Sequence, residues 1–94
     1  MNFKELEMNE QHKQMILEYL KTMPQTVSYS VDIGEEEIHV TWKKANIRAV
    51  AIFDEENEYS YTYYEKGHFV PGEHSVFIGQ DWPADLLAYL RKNE

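Results

Sequence analysis

The chain has no cysteine, so it can build neither a disulfide framework nor a thiolate metal or redox site. It has no run of the roughly 18 apolar residues that a membrane span needs. Met1, Asn2, Phe3, Lys4 and Glu5 do not open a charged-then-apolar leader. A cytoplasmic protein with no membrane partner is therefore expected. Basic residues are also scarce, 9 Lys and Arg against 17 Asp and Glu, for a formal charge of -8. Such a surface repels phosphates, so direct binding of nucleic acid is not expected; the charged partners that fit are basic proteins. Repeats and low-complexity runs are missing too, which leaves no boundary at which to divide the chain.

What is present is enough for one core. Of the 94 residues 43% are apolar and 14% aromatic, the composition of a packed globule and not of an acidic tail. A chain of this length makes one domain, 1–94, with residues 1–8 read as an arm or as an extension of the first helix. Met15, Ile16, Tyr19, Leu20 and Met23 recur at helical spacing over 9–23, and Pro24 stops that helix. From Thr26 the period becomes two. Val27, Tyr29, Val31 and Ile33, then Ile38, Val40 and Trp42, alternate with polar residues as two half-buried strands do. Gly34 and Glu35 fit a two-residue type II′ turn, which pairs Val31 with Ile38, Tyr29 with Val40 and Val27 with Trp42.

Residues 47–53 are apolar at odd and even positions alike, so the phase of the third strand is open. Lys44, Ala45 and Asn46 turn the chain into it: a two-residue turn puts Ala49, Ala51 and Phe53 on the core face, and a three-residue turn puts Val50 and Ile52 there. Either way Tyr59, Tyr61 and Tyr63 of the fourth strand face the core and Tyr64 faces out. Gly67 reads as a bulge in that strand, Pro71 and Gly72 as the centre of a type II turn, and 74–79 as a fifth strand. Trp82 at the N-cap and Pro83 at N1 begin a last helix, with Asp85 in its first turn and Leu86, Leu87 and Leu90 on its apolar face. The expected fold is α+β: a five-stranded antiparallel meander, order 1-2-3-4-5, with an N-terminal and a C-terminal helix on one face.

No stretch carries a catalytic or cofactor motif, so no catalytic residue, cofactor or metal is expected and the reading is non-enzymatic. Ser30 and His39 are the one serine–histidine pair that strand geometry brings together, and nothing flanks them to form an oxyanion hole. His68, His74 and Glu73 could meet across a hairpin, which is a weak metal pattern. The three core tyrosines could line a small-molecule pocket, although aromatic residues alternating on a strand are ordinarily core.

Two surfaces remain as candidates. A meander gathers alternate turns at one end, which places Asp32, Glu35, Glu36, Glu37, Asp54, Glu55, Glu56 and Glu58 together, opposite Lys43, Lys44, Lys66, His68 and His74. This acidic end suits a basic protein, or a role as an inhibitor that mimics nucleic acid; charged hairpin tips also serve simply as solvated surface. The other candidate is an apolar stripe on the outer sheet face beside Tyr64: Val50 and Ile52 in one phase of the third strand, or Ile47, Ala49, Ala51 and Phe53 in the other. With both helices needed on the core face, that stripe leads to the expectation of a homodimer or an apolar protein partner.

Overall fold

The computed structural model describes residues 10–23, 28–44, 47–72 and 75–91. Its elements are α1 (Glu10–Leu20), β1 (Tyr29–Ile33), β2 (Ile38–Lys44), β3 (Ile47–Phe53), β4 (Glu58–Glu65), β5 (His68–Pro71), β6 (Val76–Phe77) and α2 (Ala84–Arg91). The sheet is antiparallel in the order β1-β2-β3-β4-β5, and β6 pairs with β4. The expected α+β meander with a helix at each side of it in sequence is thus the observed fold. The N-terminal arm and Pro24 lie outside the described residues.

The third strand takes the phase of the two-residue turn, because Lys44 pairs with Ile47 and Trp42 with Ala49. Ile47, Ala49, Ala51 and Phe53 are consequently buried, leaving Val50 and Ile52 on the outer face. On the core face small residues of β3 alternate with large neighbours: Trp42, Ala49 and Tyr63 share one row, and Val40, Ala51 and Tyr61 the next. Over this trough α1 lays Ile16, Tyr19 and Leu20, and α2 lays Leu86, Tyr89 and Leu90. Tyr19 stacks on Trp82 at 4.2 Å between centroids, and Phe53 on Tyr59 at 4.6 Å. Each large apolar side chain buried there contributes roughly 1.5–3 kcal/mol.

Three local readings are corrected. The first hairpin is one residue longer on each side than a type II′ turn allows: Ile33 pairs with Ile38, Val31 with Val40 and Tyr29 with Trp42. Residues 34–37 form a four-residue loop closed by Gly34 N–H donating to the Glu37 carbonyl at 2.8 Å. A two-residue and a four-residue loop put the same side chains on the same face, so alternation cannot tell them apart. Trp42 is taken by Tyr29, and Val27 lies outside the described residues.

Next, Gly67 is no bulge. Glu65 pairs with His68 across Lys66 (φ 52°) and Gly67 (φ 88°), two left-handed residues as a type I′ hairpin turn requires. Pro71 and Gly72, conversely, do not reverse the chain. Pro71 pairs with Thr62, and Gly72 N–H donates to the Tyr61 carbonyl at 2.8 Å. Val76 then pairs with Tyr59, and residues 73 and 74 lie outside the described residues.

Last, the cap of α2 lies one residue later than expected: the helix begins at Ala84 and its first bond runs from Leu87 N–H to the Pro83 carbonyl at 3.0 Å, so Pro83 and not Trp82 is the N-cap. Its Tyr89 hydroxyl reaches into the sheet. It accepts from Arg48 N–H at 2.9 Å and donates to the Tyr64 carbonyl at 2.5 Å. Continuing the β3–β4 register past Ala49 and Tyr63, those two backbone groups would have bonded each other.

Candidate interaction surface

Both helices lie on the core face, so among the described residues the opposite face of the sheet is built from the outward side chains of its strands. They fall into rows across the strands. The middle row is Ser30, Thr41, Val50, Thr62 and Pro71, every member uncharged. Toward the 34–37 loop comes the row Asp32, His39, Ile52 and Ser60. Toward the other end come Lys43 and Arg48, with Tyr64 and its partner Phe69 beyond them. β-Branched residues dominate the centre because a pleated face suits them, and here they carry no charge.

The expected apolar residues are all on this face. Val50, Ile52 and Tyr64 are half-buried, while Phe69 and Phe77 remain about half exposed, at 51% and 50%. Phe69 meets Tyr64 edge-to-face at 5.1 Å, and the Arg48 guanidinium lies 5.7 Å over the Tyr64 ring. Phe69 and Phe77 escaped the sequence reading because their facing follows from the Lys66–Gly67 turn and from the pairing of Phe77 with Glu58.

The acidic residues gather at one end, as the meander requires. Asp32, Glu35, Glu36 and Glu37 line a hollow of about 320 Å³ with Gly34 and His39. Glu37 also borders a second hollow, about 270 Å³, with Ile52, Asp54, Glu58 and Ser60. Glu55 and Glu56 are exposed at the neighbouring tip. Two of these carboxylates have local duties: Asp54 Oδ1 accepts from Glu56 N–H at 2.8 Å and Glu58 N–H at 3.3 Å, and Glu37 Oε1 is 2.9 Å from His39 Nε2. The opposite end holds Lys43, Lys44, Lys66 and His68; Glu73 and His74 lie outside the described residues. No family model, curated protein or solved structure matches the chain.

The remaining candidates do not assemble. Asp32, not Ser30, stands opposite His39. His68 pairs with Glu65, and His74, its expected partner, lies outside the described residues. Among the described residues no group of three His, Asp or Glu is placed to hold a metal ion. None of the described helices is long and apolar enough to cross a membrane. Tyr59 and Tyr61 are buried, with the Tyr59 hydroxyl 2.9 Å from that of Tyr19 and the Tyr61 hydroxyl donating to Asp85 at 2.5 Å. Above them a cleft of about 540 Å³ runs between the end of α1 and residues 79–87, lined by Tyr19, Thr22, Gln80, Asp81 and Trp82. Its polar atoms largely serve one another: Trp82 Nε1 donates to Thr22 Oγ1 at 2.9 Å and Tyr19 donates to the Gln80 carbonyl at 2.8 Å. Burial, joined by the nearby Asp81 charge, pushes the Tyr19 phenol above its ordinary value, against the Tyr59 hydrogen bond that lowers it.

Proposed function

We propose that this chain is a non-enzymatic, cytoplasmic interaction module that self-associates through the outer face of its sheet. The observation that carries this reading is the one-sided placement of the helices, which leaves Val50, Ile52, Tyr64, Phe69 and Phe77 on a face that no described helix covers. A small soluble protein seldom keeps such a stripe in water unless something docks on it. Sheet-on-sheet packing, with inner faces about 10 Å apart, is the standard way to bury one. The test is mass against concentration by sedimentation equilibrium from about 1 to 500 µM. A mass rising from 11.2 kDa in the parent and staying at 11.2 kDa in Val50→Asp supports the reading. A parent that stays monomeric throughout overturns it.

A second reading draws on the two carboxylate-lined hollows: the acidic end occupies a basic protein's nucleic-acid-binding surface. Reversing Glu35, Glu36, Glu55, Glu56 and Glu58 would then abolish binding to such a protein and remove its salt dependence, while Val50→Asp would leave it intact.

A further inference from the structure

We infer that the occupant of the outer face is a second copy of this chain turned end for end, so that each copy's basic end lies on the other's acidic end. The inference rests on the docking reading above and adds the arrangement.

A twofold pairing of two sheet faces admits two axes in the plane between them. One runs along the strands and sets each end of the sheet on its own like. The other runs across the strands and exchanges the ends. Charge decides between them. An axis along the strands, laid on β3, sets Glu37 of each copy over Glu58 of the other and Arg48 over its own counterpart. Like charges brought together and desolvated cost several kcal/mol in an interface. An axis across the strands, laid along Ser30, Thr41, Val50, Thr62 and Pro71, has only uncharged residues beneath it.

Following that axis strand by strand gives specific neighbours. Rotation about it keeps each strand over its own copy and exchanges the rows on either side of the middle one. On β2, Lys43 comes over the second copy's His39, at the hollow lined by Asp32, Glu35, Glu36 and Glu37. On β3, Arg48 comes over the second copy's Ile52, at the hollow lined by Glu37, Asp54 and Glu58. Both cations are exposed, and the ion pairs among the described residues join neither to a carboxylate. The symmetry repeats the pairings, so two exposed cations per copy meet two acidic hollows per copy across a dry β-branched centre.

Size sets the strength. Five strands about 4.8 Å apart and some six residues long at 3.3 Å each give roughly 500 Å² a side, near the lower bound for a specific interface. An interface of that size belongs with weak, transient associations.

With no native cysteine, a single introduced one carries a spin label at one known place. Glu35→Cys labels the tip of the first hairpin, about five residues beyond the axis. Electron–electron distance measurement in the dimer should read about 35 Å for the end-for-end arrangement and under about 20 Å for the axis along the strands. A label at Glu55→Cys, the other tip of the same end, should also read long. Arg48→Glu should weaken self-association at least tenfold, and Lys21→Glu, exposed in the turn just after α1, should not. A dimer that Val50→Asp dissolves but that gives short distances at both labels overturns the arrangement and leaves the docking reading standing. A chain that never associates overturns both.

Discussion

Replacing Gly72 by alanine puts a methyl carbon where the Tyr61 ring already lies. An ideal Cβ at Gly72 falls 2.1, 2.4 and 2.5 Å from Tyr61 Cε2, Cζ and Cδ2, against the 3.4–4 Å of ordinary contact. Relief demands a shift of more than an ångström by one of two routes. The ring can swing away, giving up its 2.5 Å bond to Asp85, worth about 1.5–3 kcal/mol, along with part of its burial. Alternatively the strand can back off, losing the Gly72-to-Tyr61 backbone bond at about 1 kcal/mol and loosening the rows beside it. Overpacking of this kind costs about 1–3 kcal/mol in general, and with the hydrogen bond at stake we expect about 3 kcal/mol here. For a domain of this length that is a large share of the roughly 5–14 kcal/mol available, and it lowers Tm by about 15 °C. Urea denaturation in a double-mutant cycle isolates the cause. In a Tyr61→Ala background the same glycine substitution should cost under about 0.5 kcal/mol. A full cost that persists without the ring, or no cost in the parent, would refute the close approach.

Further expectations concern the turns, the latch of the last helix and alkaline pH. Gly67→Ala should cost about 1 kcal/mol, because its φ of 88° suits few side chains, whereas Gly34→Ala, which needs only a slight shift from the Glu37 carbonyl 3.2 Å away, should move the urea midpoint little; a reversed order would argue against the type I′ turn. Tyr89→Phe should destabilise by about 2 kcal/mol, since Arg48 N–H and the Tyr64 carbonyl lose their common partner, and the Arg48 amide should exchange faster; unchanged exchange would show the two strands bonding each other directly. Tyr19 resists ionisation in the fold, whereas in the unfolded chain its phenol titrates near 10. Its contribution is therefore complete below pH about 10 and is lost as pH rises through the folded value. Urea midpoints of the parent should fall faster between pH about 9 and 11 than those of Tyr19→Phe, and parallel profiles would contradict this.

Much of the architecture was legible because a period of two assigns faces that an even change in loop length leaves alone. Tyr59 and Tyr61 were placed in the core on those grounds alone. The same indifference hid the first hairpin's register, where a loop of four replaces a loop of two without turning over a single side chain. The second half of the sheet misled for a different reason. Lys66 takes a left-handed conformation that nothing in its chemistry announces, so Gly67 looked solitary. The Pro71–Gly72 pair imitates a turn, although proline is tolerated on this edge strand and glycine is demanded by the ring above it. As to the candidate surface, Val50, Ile52 and Tyr64 emerged by elimination, because a strand apolar on both faces must show one of them. Phe69 and Phe77 could not be assigned until the turn was known.

The Tyr89 hydroxyl between β3 and β4 also bears on the order in which the sheet can be completed. Both strands it joins are finished by residue 65, yet the group that closes their end comes from a residue 41 positions after Arg48. Local pairing can proceed from the tight turn at Asp54, where Asp54 N–H meets the Glu58 carbonyl, and zip toward the far end. The zipper then waits one rung short. During synthesis, and during any transient detachment of α2, Arg48 and Tyr64 hold an open corner that solvent can enter. The amide of Arg48 thus becomes a natural clock for the docking of the last helix, exchanging its proton only in the moments when that helix is away.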